Sequence, residues 1–361
     1  MRPTAPLSLL RPLRGHPHRE KARVRAWLAA LVLLSVGCGT PAEQGGLPRA
    51  GGGGASGPLG EVRCWGGPGR EAGRFVKPRA LAVGADRLYV VDMSGRIQVF
   101  DLDGRWQASW TLPEVSRGYP TGLGLRGDGC LGVADTHNFV VRLYSPEGTL
   151  LRTIGREGGG PGEFTYVTDV AFDAGGNLYV GEHGREDRIQ KFDREGRFLT
   201  AWGRSGEGPG EFHRPQGLVI DEEGSLYVAD AANHRIQKFS PEGALLAVWG
   251  GPGKGPAELL YPYGLTLGPG HLLFVSEYGN NRVQAFDAEG RSVGIWGRAG
   301  REPGEFSQPW DLQWVSGRGL YVVDMGNHRV QQFSAAGVES LVRRGSWPVA
   351  PSGRAEPRLS D

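Results

Sequence analysis

The chain has few cysteines, no apolar run long enough to cross a bilayer as a helix, and almost no net charge. Three Cys occur in 361 residues. Apart from Cys38, near the N-terminus, they are Cys64 and Cys130. Two thiols cannot build a disulfide framework, and their surroundings have no metal-ligand spacing. Both are therefore expected to be unpaired and buried, in strands of different copies of the repeat described below. The apolar run AWLAALVLLSVG covers residues 26–37, well short of the ~20 residues that span a membrane. The formal charge of +2 comes from the N-terminus, because residues 1–37 hold seven basic side chains and one acid. The remainder carries 34 basic and 38 acidic residues, a net of −4. That balance lacks the overall positive field of a nucleic-acid binder.

Glycine is what the chain has in excess, with 61 Gly and 25 Pro. It falls at regular intervals between short apolar runs, a pattern of turns separating many short strands rather than low complexity.

Residues 1–37 have a basic stretch ending at Arg25, a short apolar core and small residues before a break, which together describe an export signal. The break, Ser35-Val36-Gly37-Cys38, resembles a bacterial lipobox, with Ser35 where Leu is usual. The resemblance implies that Cys38 is lipidated and becomes the mature N-terminus, anchoring the protein to a membrane. Plain secretion with cleavage near Gly37 is the alternative. Residues 38–60 have no apolar periodicity and read as a Gly/Pro-rich flexible tether. A tether behind an acylated Cys suits an outer-membrane or periplasmic lipoprotein of the bacterial cell envelope.

Self-comparison exposes the organisation of residues 61–344. An apolar pentad ending in an acid recurs as LYVVD, LGVAD, LYVGE, LYVAD, LFVSE and LYVVD. Its acids are Asp92, Asp135, Glu182, Asp230, Glu277 and Asp324, spaced by 43, 47, 48, 47 and 47 residues. After each acid come a polar turn and a strand such as ANHRIQKF, then a Gly turn. A final strand often ending in Trp-Gly follows, and a link such as GPGEF leads to a landmark proline. Those prolines are Pro78, Pro120, Pro215, Pro262 and Pro309, with Val167 standing in for the third. Each copy supplies four strands of five to six residues, rich in Val, Ile, Tyr and Phe. Such a unit cannot cover both faces of its own sheet, whereas copies stacked around an axis can. The expected fold is all-β, a six-bladed β-propeller of four-stranded antiparallel blades, with residues 345–361 a disordered tail.

The pattern D-x-x-N-[HN]-R-[IV]-Q-x-F, preceded by GEF-x-x-P, resembles the NHL repeat. Copies four to six match it well and copy two poorly, since Val140 replaces the Arg. The resemblance covers residues 65–344. Ring closure has two solutions: Val62–Gly66 could complete the last blade, or residues 338–344 could fill that place. The Trp-Gly ending favours the former.

The repeated acid and Arg suit architecture, with the carboxylate accepting N–H bonds from the turn after it and the Arg pairing with it. Specificity must then lie where the copies differ, in the residues following each landmark proline and in the turn between second and third strands, which share one face. The first set holds Arg79, Thr121, Thr168, Asp169, Gln216, Tyr263, Trp310 and Asp311; the second adds His137, Asn138, His183, Asn233, His234, Tyr278, Asn280, Asn327 and His328. Arg79, Asp169, Tyr263, Trp310 and Asp311 are the expected ligand-binding set, with Trp310 and Tyr263 as apolar anchors beside an acid. That combination suits a sugar, a peptide or a cationic group.

Two functions compete. A non-enzymatic scaffold binding a protein, glycan or small molecule through its top face needs only the ring and this varied surface. A metal-dependent propeller enzyme needs ligands that the sequence does not assemble. The peptidyl-hydroxyglycine amidating lyases, similar in repeat, have zinc histidines directly after the landmark proline, where this chain has Arg, Thr, Thr, Gln, Tyr and Trp. Asp169 and Asp311 alone are too few for the calcium of gluconolactonase-type propellers. No catalytic residue, metal or cofactor is expected, although calcium or zinc stays conceivable. Nucleic acid is not an expected partner.

Overall fold

The computed structural model describes residues 61–344. The export signal, Cys38, the tether and the tail from 345 lie outside the described residues. Six four-stranded antiparallel sheets are arranged as blades. Their first strands are Pro78–Val83, Gly122–Leu125, Tyr166–Phe172, Pro215–Ile220, Pro262–Leu267 and Pro309–Val315. These inner strands contact one another in sequence, and the sixth returns to the first, so the ring closes around a central channel.

Closure is made by the N-terminal strand. Val62–Gly66 pairs antiparallel with the third strand of blade six, in the register Val62↔Phe333 to Gly66↔Arg329. Residues Ala335–Arg344 form a helix instead of a strand, and Val338 of that helix is buried in the core between blades five and six. Trp65 meets Tyr321 edge to face at 6.0 Å, so the closing strand carries the indole that blades one, three, four and five place at the same position, where blade two has Ile154.

The repeated residues build this ring. The link phenylalanines Phe75, Phe164, Phe212 and Phe306 are fully buried and lie 5.5–5.9 Å from Phe100, Phe192, Phe239 and Phe333 of their own blades. The turn glycines let neighbouring blades approach. Gly148 has φ +89°, and a Cβ there would lie 2.6 Å from the indole of Trp110 in the preceding blade. Gly243 has φ +87° and the same relation to Trp202. No other residue satisfies both the backbone and the contact.

Each repeated acid is buried, and most bond both the turn after them and the link before them. Asp92 accepts from Ser94 N at 2.9 Å, and Asp230 and Asp324 accept from Asn233 Nδ2 and Asn327 Nδ2 at 2.9 Å. Glu182 accepts from Thr165 N at 2.7 Å, Asp230 from His213 N at 2.7 Å, and Asp324 from Ser307 N at 2.7 Å. These carboxylates thus also reach back to the link that enters their own blade, whereas Asp135 bonds Asn138 of the turn after it and Arg142. Arg188, Arg235 and Arg329 each donate Nε to these acids at 2.7 Å. In blade two, where Val140 replaces the Arg, Arg142 donates to Asp135 at 2.7 Å from the register position that holds Gln elsewhere. Buried carboxylates persist only with such partners.

Both remaining thiols are free. Cys130 is buried and sits one residue before its strand. Cys64 is only half-buried, because the closing strand is the outer edge of its sheet.

Candidate functional site at the channel mouth

The landmark prolines open the inner strands, and just after them the pairing slips in five blades, as between Pro215 and Leu218 and between Pro309 and Leu312. A bulge re-aims the side chains beside it. Here it separates two layers. The residue directly after the proline rims the mouth, and the next one lies deeper along the channel.

The deeper layer reads Ala80, Gly122, Asp169, Gly217, Gly264 and Asp311, so the two acids belong to opposite blades, three and six. Their roles match. Asp169 accepts from Leu218 N of blade four at 2.9 Å, and Asp311 accepts from Leu81 N of blade one at 2.9 Å. On the other side, a Cβ at Gly122 would lie 2.3 Å from the Asp169 carboxylate, and one at Gly264 would lie 2.7 Å from that of Asp311. The acids therefore replace missing strand pairing between neighbouring blades. Burial pushes the Asp311 carboxyl up to about 7. Burial, then repulsion from Asp311, pushes Asp169 well above the usual carboxylate range.

Above them lies a cavity of about 280 Å³ lined by Arg79, Thr121, Thr136, His137, Tyr166, Thr168, His183, Arg214, Gln216 and Trp310. The five expected binding residues therefore separate. Arg79 and Trp310 line the cavity together, with the guanidinium 4.8 Å from the Trp310 ring centroid. Tyr263 is 6% exposed and stands behind Trp310, edge to face at 4.8 Å and stacked on Tyr278 at 4.7 Å. Asp169 and Asp311 do not line the cavity.

Arg214 and Tyr166 belong to the site although reading forward from the proline passes over them. They precede the landmark positions Pro215 and Val167, as Lys77, Tyr119, Tyr261 and Gln308 precede theirs. Arg214 has φ +61°, which turns it back toward the mouth. The histidines also divide. His234 and His328 accept from Tyr261 N and Lys77 N of the next blade, both at 3.1 Å, and act as latches between blades. His137 and His183 face the cavity on either side of Tyr166, with ring centroids 5.6 and 5.3 Å from it. Burial, aided by the charge of Arg214, lowers the His183 pKa to about 4, so its imidazole is neutral at pH 7. The described residues contain no group of three or more His, Cys, Asp or Glu placed to hold a metal ion.

A larger cavity of about 600 Å³ lies on the opposite face, between blades one and two. Its charged side chains already have partners, Arg87 with Glu147 at 3.7 Å and Arg126 with Asp128 at 2.9 Å. The cavity at the mouth differs. Arg79 Nε, Thr168 Oγ1 and Gln216 Oε1 are buried there with no hydrogen-bond partner in the protein. Thr168 is 2% exposed and Gln216 is 5% exposed.

The ring and its polar mouth define a β-propeller of the kind that carries its variable chemistry on one face. The NHL repeat family model matches residues 212–239, the stretch from the buried link phenylalanine of blade four to Phe239, and the same landmarks recur around the ring. The chain is a six-bladed β-propeller that carries an NHL repeat at residues 212–239. No curated protein matches its sequence. Similar solved structures include a structural-genomics protein of unknown function from Bacteroides thetaiotaomicron, 14% identical with TM-score 0.58, covering 76% of each chain. Virginiamycin B lyase from Staphylococcus aureus is 12% identical with TM-score 0.54, covering 76% of this chain and 99% of that one. A streptogramin B lyase is 13% identical with TM-score 0.56, covering 75% and 97%. At these identities the likeness is one of fold.

Proposed function

We propose that this protein is an exported, lipid-anchored propeller that works as a non-enzymatic binding module through the cavity at its channel mouth. The observation that carries the reading is the set of buried polar atoms there that no protein group satisfies. Leaving such groups unpaired costs about 1–3 kcal/mol each, and a ligand that pairs them recovers that cost on binding. The export reading rests on residues 26–37 and Cys38, and the Gly/Pro-rich segment that follows suits a domain held off a membrane surface. The enzyme alternative has no comparable support: the cavity offers two imidazoles but no third ligand beside them, and the lyases of similar fold contribute the fold alone.

Two measurements test this. Labelling with radioactive palmitate should mark the full chain and be lost in Cys38→Ser; equal labelling of both would sink the anchor. A ligand screen by thermal shift should give hits that Trp310→Ala abolishes. Hits indifferent to Trp310 would remove this cavity as the binding site, and stoichiometric zinc or calcium in the purified protein would favour an enzyme.

A further inference from the structure

We infer that the cavity at the channel mouth binds a small organic carboxylate, its charged group held by Arg79 and Arg214 and its planar body lodged between Trp310 and Tyr166. The inference rests on the binding reading above and names the ligand class.

Charge is the first observation. The cavity lining holds two arginines and no carboxylate. Elsewhere in the ring, half-buried arginines are paired, as Arg142, Arg188, Arg235 and Arg329 are, each with its carboxylate 2.7 Å away. Among the described residues, Arg79 is the one arginine not exposed that makes neither a hydrogen bond nor an ion pair. It lies only against the rings of Trp310, at 4.8 Å, and Tyr119, at 5.9 Å. Aromatic faces partly compensate a desolvated cation, but they leave the planar fork of N–H donors unused, and that fork matches a carboxylate.

The polar set is the second. Thr168 Oγ1 and Gln216 Oε1, on side chains more than nine-tenths buried, enter the cavity unpaired from blades three and four. The Thr168 hydroxyl can donate to a carboxylate's remaining lone pairs, and Gln216 Oε1 can accept from a hydroxyl on the ligand body.

Size and walls are the third. About 280 Å³ is the space of about nine waters, which suits a molecule of about ten non-hydrogen atoms. Tyr166 is 38% exposed and Trp310 is 9% exposed, and Trp310 is braced from behind by Tyr263. Those aromatic surfaces favour an apolar body over a bare inorganic ion. Asp169 and Asp311 lie a layer deeper and bond backbone N–H groups, so neither is a counter-ion for Arg79.

The test is calorimetric titration of the full chain with benzoate, its uncharged relative benzamide, and inorganic phosphate at one ionic strength. Benzoate should bind and quench tryptophan fluorescence, and benzamide should bind at least about tenfold more weakly, as expected for loss of a charge-assisted bond. Arg79→Gln and Arg214→Gln should each weaken benzoate by about tenfold or more, while Arg152→Gln, an exposed arginine on blade two, should leave binding unchanged. Because Arg79 holds no structural bond, unchanged melting of Arg79→Gln would exclude misfolding; Arg214→Gln, at an exposed site, gives an independent reading. Equal affinity for benzoate and benzamide, or phosphate binding more tightly than benzoate, would overturn the inference. If neutral glycans bound in a Trp310-dependent manner while benzoate did not, the carboxylate would be wrong and the binding site would stand. If no ligand depended on Trp310, both would fall.

Discussion

Replacing Asp311 by Asn is expected to stabilise the protein at high pH and to destabilise it at low pH. The folded-state pKa of Asp311 is pushed from 3.8 to about 7 by burial. Between these values the folded chain holds a proton that the unfolded chain has lost, so stability falls as pH rises through that window. One pKa unit is worth about 1.4 kcal/mol. Ionising Asp311 therefore costs about 4 kcal/mol of folding stability at pH 8, about 2 at pH 5 and under about 1 at pH 4. Asparagine removes that cost but brings one of its own. The carboxylate accepts from both Leu81 N and Leu312 N, at 2.9 and 2.8 Å, and an amide can accept from only one of them, a loss of about 1–2 kcal/mol. Asp311→Asn should thus gain about 2–3 kcal/mol at pH 8, break even near pH 5 and lose about 1 kcal/mol at pH 4. Removing the Asp311 charge should also bring the Asp169 carboxyl down toward its ordinary value, since Asp311 is one cause of its elevation. Urea denaturation of both proteins across that pH range measures the difference directly, and carbon NMR of the Asp169 carboxyl gives the second readout. A constant difference between pH 4 and pH 8 would refute the reasoning.

Three further outcomes follow from the ring. Gly243→Ala forces a Cβ to 2.6 Å from Trp202 at φ +87° and should cost about 2 kcal/mol or more in denaturant titration. In blade two, Arg142→Gln should cost about 3 kcal/mol by stripping Asp135 of its cation. Adding Val140→Arg should restore most of that loss, because Val140 faces Asp135 where Arg faces the acid in other blades; additive losses in the double mutant would sink the register argument. Trp65→Ala, which empties the edge-to-face contact with Tyr321, should lower the melting temperature by loosening ring closure, and an unchanged melting curve would deny the closing strand its role.

Much of the ring was readable because its residues are tied to a period of about 47. The acid, the Gly turn, the link phenylalanine and the proline each recur, and recurrence survives the loss of any one landmark, as Val167 for proline or Val140 for Arg show. The backward reach of the acids was not readable. Nothing in LYVAD says that Asp230 bonds His213 N, 17 residues upstream, as well as Asn233 in the turn beside it. The candidate site was legible only in part. Taking the residues after each proline as one set merged two layers that the bulges separate, and so joined Asp169 and Asp311 to a cavity they do not line. Taking nothing before the proline passed over Arg214 and Tyr166, although that column, with Lys77, Tyr119, Tyr261 and Gln308, varies as freely as the one that was read. The cavity's basic lining was hidden by these two omissions, and it supports the carboxylate proposed above in place of the sugar, peptide or cationic group expected beside an acid.

The most direct test of the account is a crystal structure of the full chain soaked with benzoate. It should show the carboxylate within hydrogen-bonding distance of the Arg79 guanidinium and the ring against Trp310, at the channel mouth. Benzoate bound only in the cavity between blades one and two, or nowhere on the propeller, would contradict it.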